Sequence, residues 1–194
     1  MASYSCYFTK VLVLLFLIMS YFSSLTSCKS STSRLPHNTI TEEDLVSATC
    51  KKTLYFQLCV SSLRSDPQSQ TSDLRGLAVI ALNLSIENGV KALSYINNLM
   101  SEAAYKGSQL ASTDLSDCVD VYSDAIQNLQ DSVQALNDMS FDTVQSFVSA
   151  AMTDSETCED GFKEVNGFSS PLTEQNHHFS QLCSNFLAIT TLLH

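Results

Sequence analysis

The stretch TDLSDCVDVYSDAIQNLQDSVQALNDMSFDTVQSFVSAAMTDSETCEDGFKEV, residues 113–165, decides the fold. In its first half Leu115, Cys118, Tyr122, Ala125, Leu129, Val133 and Leu136 recur every three or four residues. That is the spacing of one buried helical stripe. In its second half Val144, Val148, Ala151, Ser155, Cys158, Phe162 and Val165 do the same. The spacing predicts two long helices, with Asn137 to Phe141 between them and Asp142 as the N-cap of the second. Each stripe carries one cysteine on its inward side. If the helices pack antiparallel, Cys118 near the start of one faces Cys158 near the end of the other. A disulfide asks for Cα atoms about 4.4–6.8 Å apart, which adjacent helices offer at a close contact.

Outward from this pair, the rest reads as helices of the same kind. Thr41 with Asp44 three residues on resembles a capping box, with Asp in place of Glu, and predicts a short helix through Leu45, Val46 and Ala48 to Cys50. A second short helix is expected from about Thr53 to Leu63, then a loop at Asp66-Pro67. Ser72 or Asp73 caps a very long helix, about Asp73 to Ala104, with Leu77, Ala81, Leu84, Ala92, Ile96 and Leu99 on its inner side. Asn83, Glu87, Lys91, Ser94 and Asn98 form its polar stripe. Gly76 and Gly89 weaken this helix unless close packing or a kink requires them. Lys106-Gly107-Ser108 is a break, Thr153 to Thr157 is a candidate interruption, and Gly167-Phe168-Ser169 is a further break. Ser170-Pro171 sets an N-cap before a Pro at the first helical position. The last helix, about Pro171 to Leu193, carries Phe179, Leu182, Cys183, Phe186, Ile189 and Leu193. Four long amphipathic helices with short connections predict an all-α, up-down-up-down four-helix bundle with an N-terminal helical hairpin.

Composition agrees with that class. Of 194 residues, 44% are hydrophobic, and five Gly and three Pro leave few breakers. The formal net charge is −10, which argues against nucleic acid as a partner, since phosphate contacts need Lys and Arg clusters. Residues 1–27 read as a secretory signal peptide: Lys10, then the apolar run Val11 to Met19, then small residues from Ser20 to Ser27. Nine apolar residues are too few to span a bilayer, which takes about 20, so no membrane association is expected after cleavage. Residues 28–40 read as a flexible arm, and 41–194 as the folded domain, with the hairpin at 41–66 and the bundle at 72–194.

Secretion makes disulfides the default reading of the cysteines. Of seven, Cys6 leaves with the leader and Cys28 sits at the cleavage region. Cys50, Cys59, Cys118 and Cys158 allow three pairings. On one straight helix Cys50 and Cys59 would stand about 13.5 Å apart, so a bond between them requires the chain to turn back within Lys51 to Leu58. Cys183 lies in a strongly apolar stripe and reads as a buried free thiol.

Few residues suggest chemistry. Asn83-Leu84-Ser85 is the N-x-S/T sequon and makes Asn83 the glycosylation candidate. Glu174-x-x-His177 matches the E-x-x-H pair of di-iron bundles, but a di-iron site needs two such pairs and two further inward Glu. The expectation is therefore solvated first-turn residues, with no metal and no cofactor. No nucleotide-binding, zincin or nucleophile-elbow motif is present, and no catalytic residue is assigned. Asp114, Asp117, Asp120, Asp124 and Asp131 lie opposite the Cys118 stripe. They are either an ordinary solvated face or a docking surface for a basic enzyme.

Several stretches in combination resemble the plant invertase / pectin methylesterase inhibitor family. They are Cys50-Lys51-Lys52-Thr53 to Cys59, Leu74-x-Gly76-Leu77-Ala78, Leu115-x-x-Cys118-x-x-x-Tyr122-x-Asp124-Ala125, and Ser149-Ala150-Ala151-Met152 through Thr157-Cys158-Glu159-Asp160-Gly161-Phe162. Asp66-Pro67, Gly161-Phe162-Lys163-Glu164 and Ser170-Pro171 are most similar to the pollen-allergen-like members named "putative invertase inhibitors". The resemblance implies a helical hairpin on a four-helix bundle, Cys50–Cys59 and Cys118–Cys158 disulfides, and Cys183 as the free fifth cysteine. It implies an inhibitor, not an enzyme, that binds a plant pectin methylesterase or an acid invertase one-to-one and occludes its cleft. Outer faces of Ser72–Ala104, Thr113–Leu136 and Asp142–Val165 are then the contact candidates. It also implies an extracellular, apoplastic location, with the vacuole as the alternative. Well-studied invertase inhibitors of the family carry a Pro-Lys-Phe triplet near the start of the third bundle helix. Here Met139-Ser140-Phe141-Asp142-Thr143-Val144 stands in its place, and Asp142 reverses the sign of the Lys. Pectin methylesterase is therefore expected before invertase. The competing reading is a secreted helical ligand-binding or structural protein, which a roomy apolar cavity inside the bundle would favour.

Overall fold

A computed structural model describes residues 44–105, 109–164 and 169–193, with backbone alone at 103–105, 109–112 and 164. The expected leader, arm and Thr41 cap, the breaks at 106–108 and 167–168, and Val165 lie outside the described residues. Among the described residues six α-helices follow in order: α1 Leu45–Cys50, α2 Phe56–Ser65, α3 Leu74–Tyr105, α4 Gln109–Asn137, α5 Phe141–Glu164 and α6 Thr173–Thr190. A single 3-10 turn, Pro67–Gln70, separates α2 from α3. No strand occurs among the described residues.

Helices α3 to α6 form the bundle. Each packs on its sequence neighbour, and α6 closes the ring against α3, so α3 and α5 lie diagonally, as do α4 and α6. The hairpin of α1 and α2 rests on α3 and α6. Its two arms are joined by the Cys50–Cys59 disulfide, Cα atoms 5.6 Å apart. Buried Asn185 of α6 fixes the hairpin's turn from the bundle side, accepting from the Tyr55 N–H at 3.3 Å and donating to its carbonyl at 3.2 Å. The amide gives the Tyr55 N–H an acceptor and adds a second donor to a carbonyl that already takes the Cys59 N–H at 2.9 Å.

Helix ends follow local chemistry, in places different from the sequence expectation. Asp44 is the N-cap of α1 itself, its Oδ1 accepting from the Ser47 N–H at 2.9 Å, rather than the third residue of a box begun at Thr41. The second helix starts at Phe56, not Thr53, because the Thr53 hydroxyl closes the turn onto the Cys50 carbonyl at 2.9 Å. Asp73 caps α3 by accepting from the Gly76 N–H at 2.8 Å. Asp142 is not a cap: α5 begins at Phe141, and the Ser140 carbonyl accepts from both Thr143 and Val144. No interruption occurs at Thr153 to Thr157. The hydroxyls there bond back into their own helix, Thr153 to the Ser149 carbonyl at 3.0 Å and Thr157 to the Thr153 carbonyl at 2.9 Å, a bonding mode that a helix accommodates. At α6, Ser170 accepts from the Leu172 N–H at 3.1 Å, but that bond holds a turn, and the helix starts at Thr173 rather than Pro171.

The bundle axis is filled. Tyr122, Phe179, Phe186, Leu77, Leu82, Ile96, Leu129, Val144, Val148 and Ile189 are all fully buried. The Tyr122 and Phe179 rings meet tilted, centroids 5.4 Å apart. Gly89 permits this packing: a Cβ there would stand 3.0 Å from the Phe179 ring and 3.1 Å from Ile126, so α3 approaches α4 and α6 closely at that level. One residue of the α4 stripe departs from expectation. Val133 is 39% exposed, while Ser132 is buried with its hydroxyl on the Asn128 carbonyl at 2.9 Å. At 100° per residue the buried line passes from Leu129 through Ser132 to Leu136.

Candidate functional site

The most distinctive surface lies on the α4–α5 hairpin. From Gln109 to Phe162 the chain has 11 Asp and Glu and no Lys, Arg or His. On α4, Asp117, Asp120, Asp124 and Asp131 are exposed and Asp114 is half-buried; on α5, Asp142, Glu156 and Asp160 are exposed. They project outward because the inward positions are taken by the apolar stripes and by the Cys118–Cys158 disulfide, Cα atoms 4.8 Å apart. Gln127 donates to Asp131 at 2.9 Å and Gln134 to both Asp138 oxygens at 3.0 Å. These amide donors orient the carboxylates without neutralising them. Such a face attracts cations and steers a basic partner over a distance set by salt.

Two carboxylates sit deeper in the hairpin. Asp154 of α5 is half-buried and accepts from the Asn128 amide at 3.2 Å. Burial raises its carboxyl above the ordinary Asp range, the Asn128 bond opposes that, and the Asp124 charge adds to it. Glu159 behaves oppositely. Burial works against its ionised form, but bonds from Thr173, Ser170 and Asn176 and the Lys163 charge outweigh it and hold the carboxyl below the usual range. Thr173 donates to Glu159 Oε1 at 2.7 Å and the Asn176 amide to Oε2 at 2.9 Å. The Asn176 carbonyl oxygen in turn accepts from the Tyr122 hydroxyl at 2.8 Å. This chain ties α4, α5 and α6 together beside the disulfide. Sequence reasoning missed it, although Leu172, Asn176, Phe179 and Cys183 share one helical spacing that marks Asn176 as an inward polar residue.

The hairpin ends in a tight turn. Met139 has φ 55°, the left-handed region, and among the described residues it is the one non-glycine there. The turn is closed by the Ser140 N–H on the Ala135 carbonyl at 2.8 Å and the Met139 N–H on the Leu136 carbonyl at 3.1 Å, the helix-ending pattern that usually takes Gly or Asn. Arg75 at the start of α3 donates to the Asn137 carbonyl at 3.0 Å and braces the last turn of α4. Met139 is 63% exposed. With Ser140, Phe141, Asp142 and Thr143 it lines an open recess of about 420 Å³. Met139 was not marked by the sequence as a special position, since its conformation follows from the three-residue connection.

The remaining candidates are dispersed. Asn83 lies exposed on α3, while the Ser85 hydroxyl of its sequon is fully buried on the Ala81 carbonyl at 2.9 Å. Cys183 is buried and unpaired, and burial pushes its thiol up to about 12. Glu174, His177 and His178 are exposed on the first turns of α6; His177 lies against Gln181 and edge-on to the Tyr55 ring. No group of three or more His, Cys, Asp or Glu converges on a metal position among the described residues. The hairpin's chemistry is that of a charged, rigid surface.

Comparison with known proteins agrees with this architecture. A family model described as plant invertase/pectin methylesterase inhibitor matches residues 44–189. A protein of Platanus acerifolia named "Putative invertase inhibitor" is 39% identical, over 77% of this chain and 86% of its own length. An Arabidopsis thaliana protein named "Cell wall / vacuolar inhibitor of fructosidase 2" is 33% identical, over 83% and 84%. A "Pectinesterase inhibitor" of Actinidia deliciosa is 29% identical, over 78% and 80%. In solved structures the same fold is found in a mutant form of a pectin methylesterase inhibitor from Arabidopsis, with a TM-score of 0.61 at 23% identity, covering 77% of this chain and 97% of that one.

Proposed function

We propose, for a chain that belongs to the plant invertase/pectin methylesterase inhibitor family and is thus an inhibitor and not an enzyme, that its target is a plant pectin methylesterase. Binding is one-to-one, and the bundle occludes the substrate cleft by its bulk. The observation that carries the choice of target is the α4–α5 turn. Well-studied invertase inhibitors of the family hold a Pro-Lys-Phe triplet at this place, whereas the stretch Met139-Ser140-Phe141-Asp142-Thr143-Val144 carries no cation here and the exposed Asp142 reverses the sign of the Lys. The carboxylate face beside it favours a basic enzyme and repels an acidic one. No nucleophile, metal or cofactor is needed for a mechanism of steric blockade, and large side chains fill the bundle axis among the described residues.

A second reading has its own support: relatives at 39%, 38% and 33% identity carry names that refer to invertase or fructosidase. The two readings separate in a paired titration of pectin methylesterases and acid invertases at mildly acidic and neutral pH. Loss of esterase activity alone supports the first target, and loss of invertase activity alone replaces it with the second. The leader at 1–27, the arm at 28–40 and the domain from 41 onward fit a chain secreted to the cell wall, with Asn83 as the position for a glycan. N-terminal sequencing and intact mass of the secreted protein test both.

A further inference from the structure

We infer that an N-glycan on Asn83 lies back along α3 and seats one of its sugars on the Tyr95 ring, in the groove between α3 and α6. The inference rests on the reading of Asn83 as the glycan position and names where that glycan goes. On α3, Asn83, Glu87, Lys91 and Tyr95 follow one another at four-residue steps, and all four are exposed. Residues so spaced are neighbours on a helix surface, and each step turns about 40° around the axis. The ridge they form starts at Asn83 on the solvent side of α3. It winds towards α6 and reaches Tyr95 roughly 18 Å farther along the helix. The chitobiose and first mannoses of an N-glycan cover that length. The Ser85 hydroxyl of the sequon is buried, so the glycan is attached before α3 packs; Asn83 itself stays outside, and the helix folds with the sugar in place.

The groove at the end of the ridge suits a neutral sugar. It is an open recess of about 470 Å³ lined by Asn88, Lys91, Tyr95, Glu174, Gln175 and His178. Tyr95 is 39% exposed there. A pyranose can lay its C–H face on that ring while its hydroxyls reach the surrounding amide, imidazole and carboxylate groups. The Lys91 ammonium lies 3.6 Å from Glu87, and Glu174 lines the same recess, which counts against an acidic sugar. An open recess holds a free sugar weakly. Attachment at Asn83 raises the local sugar concentration to the order of millimolar, which makes the chain's own glycan the favoured occupant.

The test uses the full chain secreted from yeast. Intact mass before and after digestion with a peptide N-glycosidase establishes the glycan. Parent, Asn83→Gln, Tyr95→Ala and the double variant are then compared in thermal unfolding. The glycan should raise Tm by about 2–4 °C in the parent, the scale of one aromatic contact in a domain of this size, and should give no such rise when Tyr95 is replaced by Ala. Tyr95→Phe, which keeps the ring, should keep the rise. On the folded protein the N-glycosidase should release the glycan from Tyr95→Ala at least about threefold faster than from the parent. Val90→Ser removes an exposed apolar side chain of α3 that lies off the ridge, and should leave both readouts at the parent values. A glycosylated parent whose Tm gain and release rate are unchanged by Tyr95→Ala, or changed as much by Val90→Ser, overturns the seating and leaves Asn83 as the glycan position. A secreted chain with no mass change on digestion overturns both.

Discussion

Removing the Cys118–Cys158 disulfide as the double variant Cys118→Ala/Cys158→Ala should destabilise the domain more than removing Cys50–Cys59. The bonds close loops of different length: the first spans a sequence separation of 40, the second 9. The chain-entropy relation gives about 4 kcal/mol for the longer loop and about 2.6 kcal/mol for the shorter. The inequality is insulated from surface effects, because all four cysteines are at most 3% exposed. For a domain near 150 residues, about 4 kcal/mol corresponds to a fall in Tm of roughly 8–16 °C. Urea unfolding of parent and both double variants, followed by circular dichroism without reductant, measures it. Because the bond acts on the unfolded chain, the variant lacking Cys118–Cys158 should also show the larger m-value, its denatured state being freer to expand. Equal costs for the two bonds, or a greater cost for the hairpin bond, would refute loop closure as the source of the stabilisation.

Tyr122→Phe should cost about 1–3 kcal/mol in the same assay, because the buried Asn176 carbonyl loses the hydroxyl that satisfies it. Asp154→Asn should raise the midpoint at neutral pH: a carboxyl raised in the folded state costs stability once ionised, so the gain should shrink as pH falls through its folded pKa. Glu159→Gln should do the reverse, since a depressed carboxyl stabilises above its unfolded pKa of about 4.3 and that contribution is lost as pH falls through the folded value. Gly161→Ala should stabilise by about 0.5–1 kcal/mol, since a Cβ there meets nothing within 4 Å inside a continuous helix.

Much of the bundle is legible in the sequence because its helices bury single stripes at a fixed period. Leu115, Cys118, Tyr122, Ala125, Leu129 and Leu136 on α4, and Val144, Val148, Ala151, Ser155, Cys158 and Phe162 on α5, are all buried. Periodicity fails at Val133 because the geometric line of burial favours Ser132, whose hydroxyl is satisfied within its own helix and so tolerates the core. The caps expected at Asp142 and Ser170 differ from those in the structure because polar residues near a helix start offer several nearly equivalent bonds, and tertiary packing chooses among them. The Thr153 to Thr157 segment reads as a breaker by composition, yet hydroxyls that bond backward are compatible with a helix. The Tyr122–Asn176–Glu159 chain joins residues on three helices, and the left-handed Met139 depends on how two helices meet. Neither is encoded in local spacing.

Complex formation is the most direct test of inhibition by occlusion. The purified chain and a pectin methylesterase would be mixed at equal concentration and resolved by size exclusion with light scattering, with esterase activity read across the peaks. Occlusion predicts one species at the summed mass of one inhibitor and one enzyme, inactive on pectin and dissociating as salt screens the acidic face. Two separate peaks with full esterase activity at low salt would contradict it.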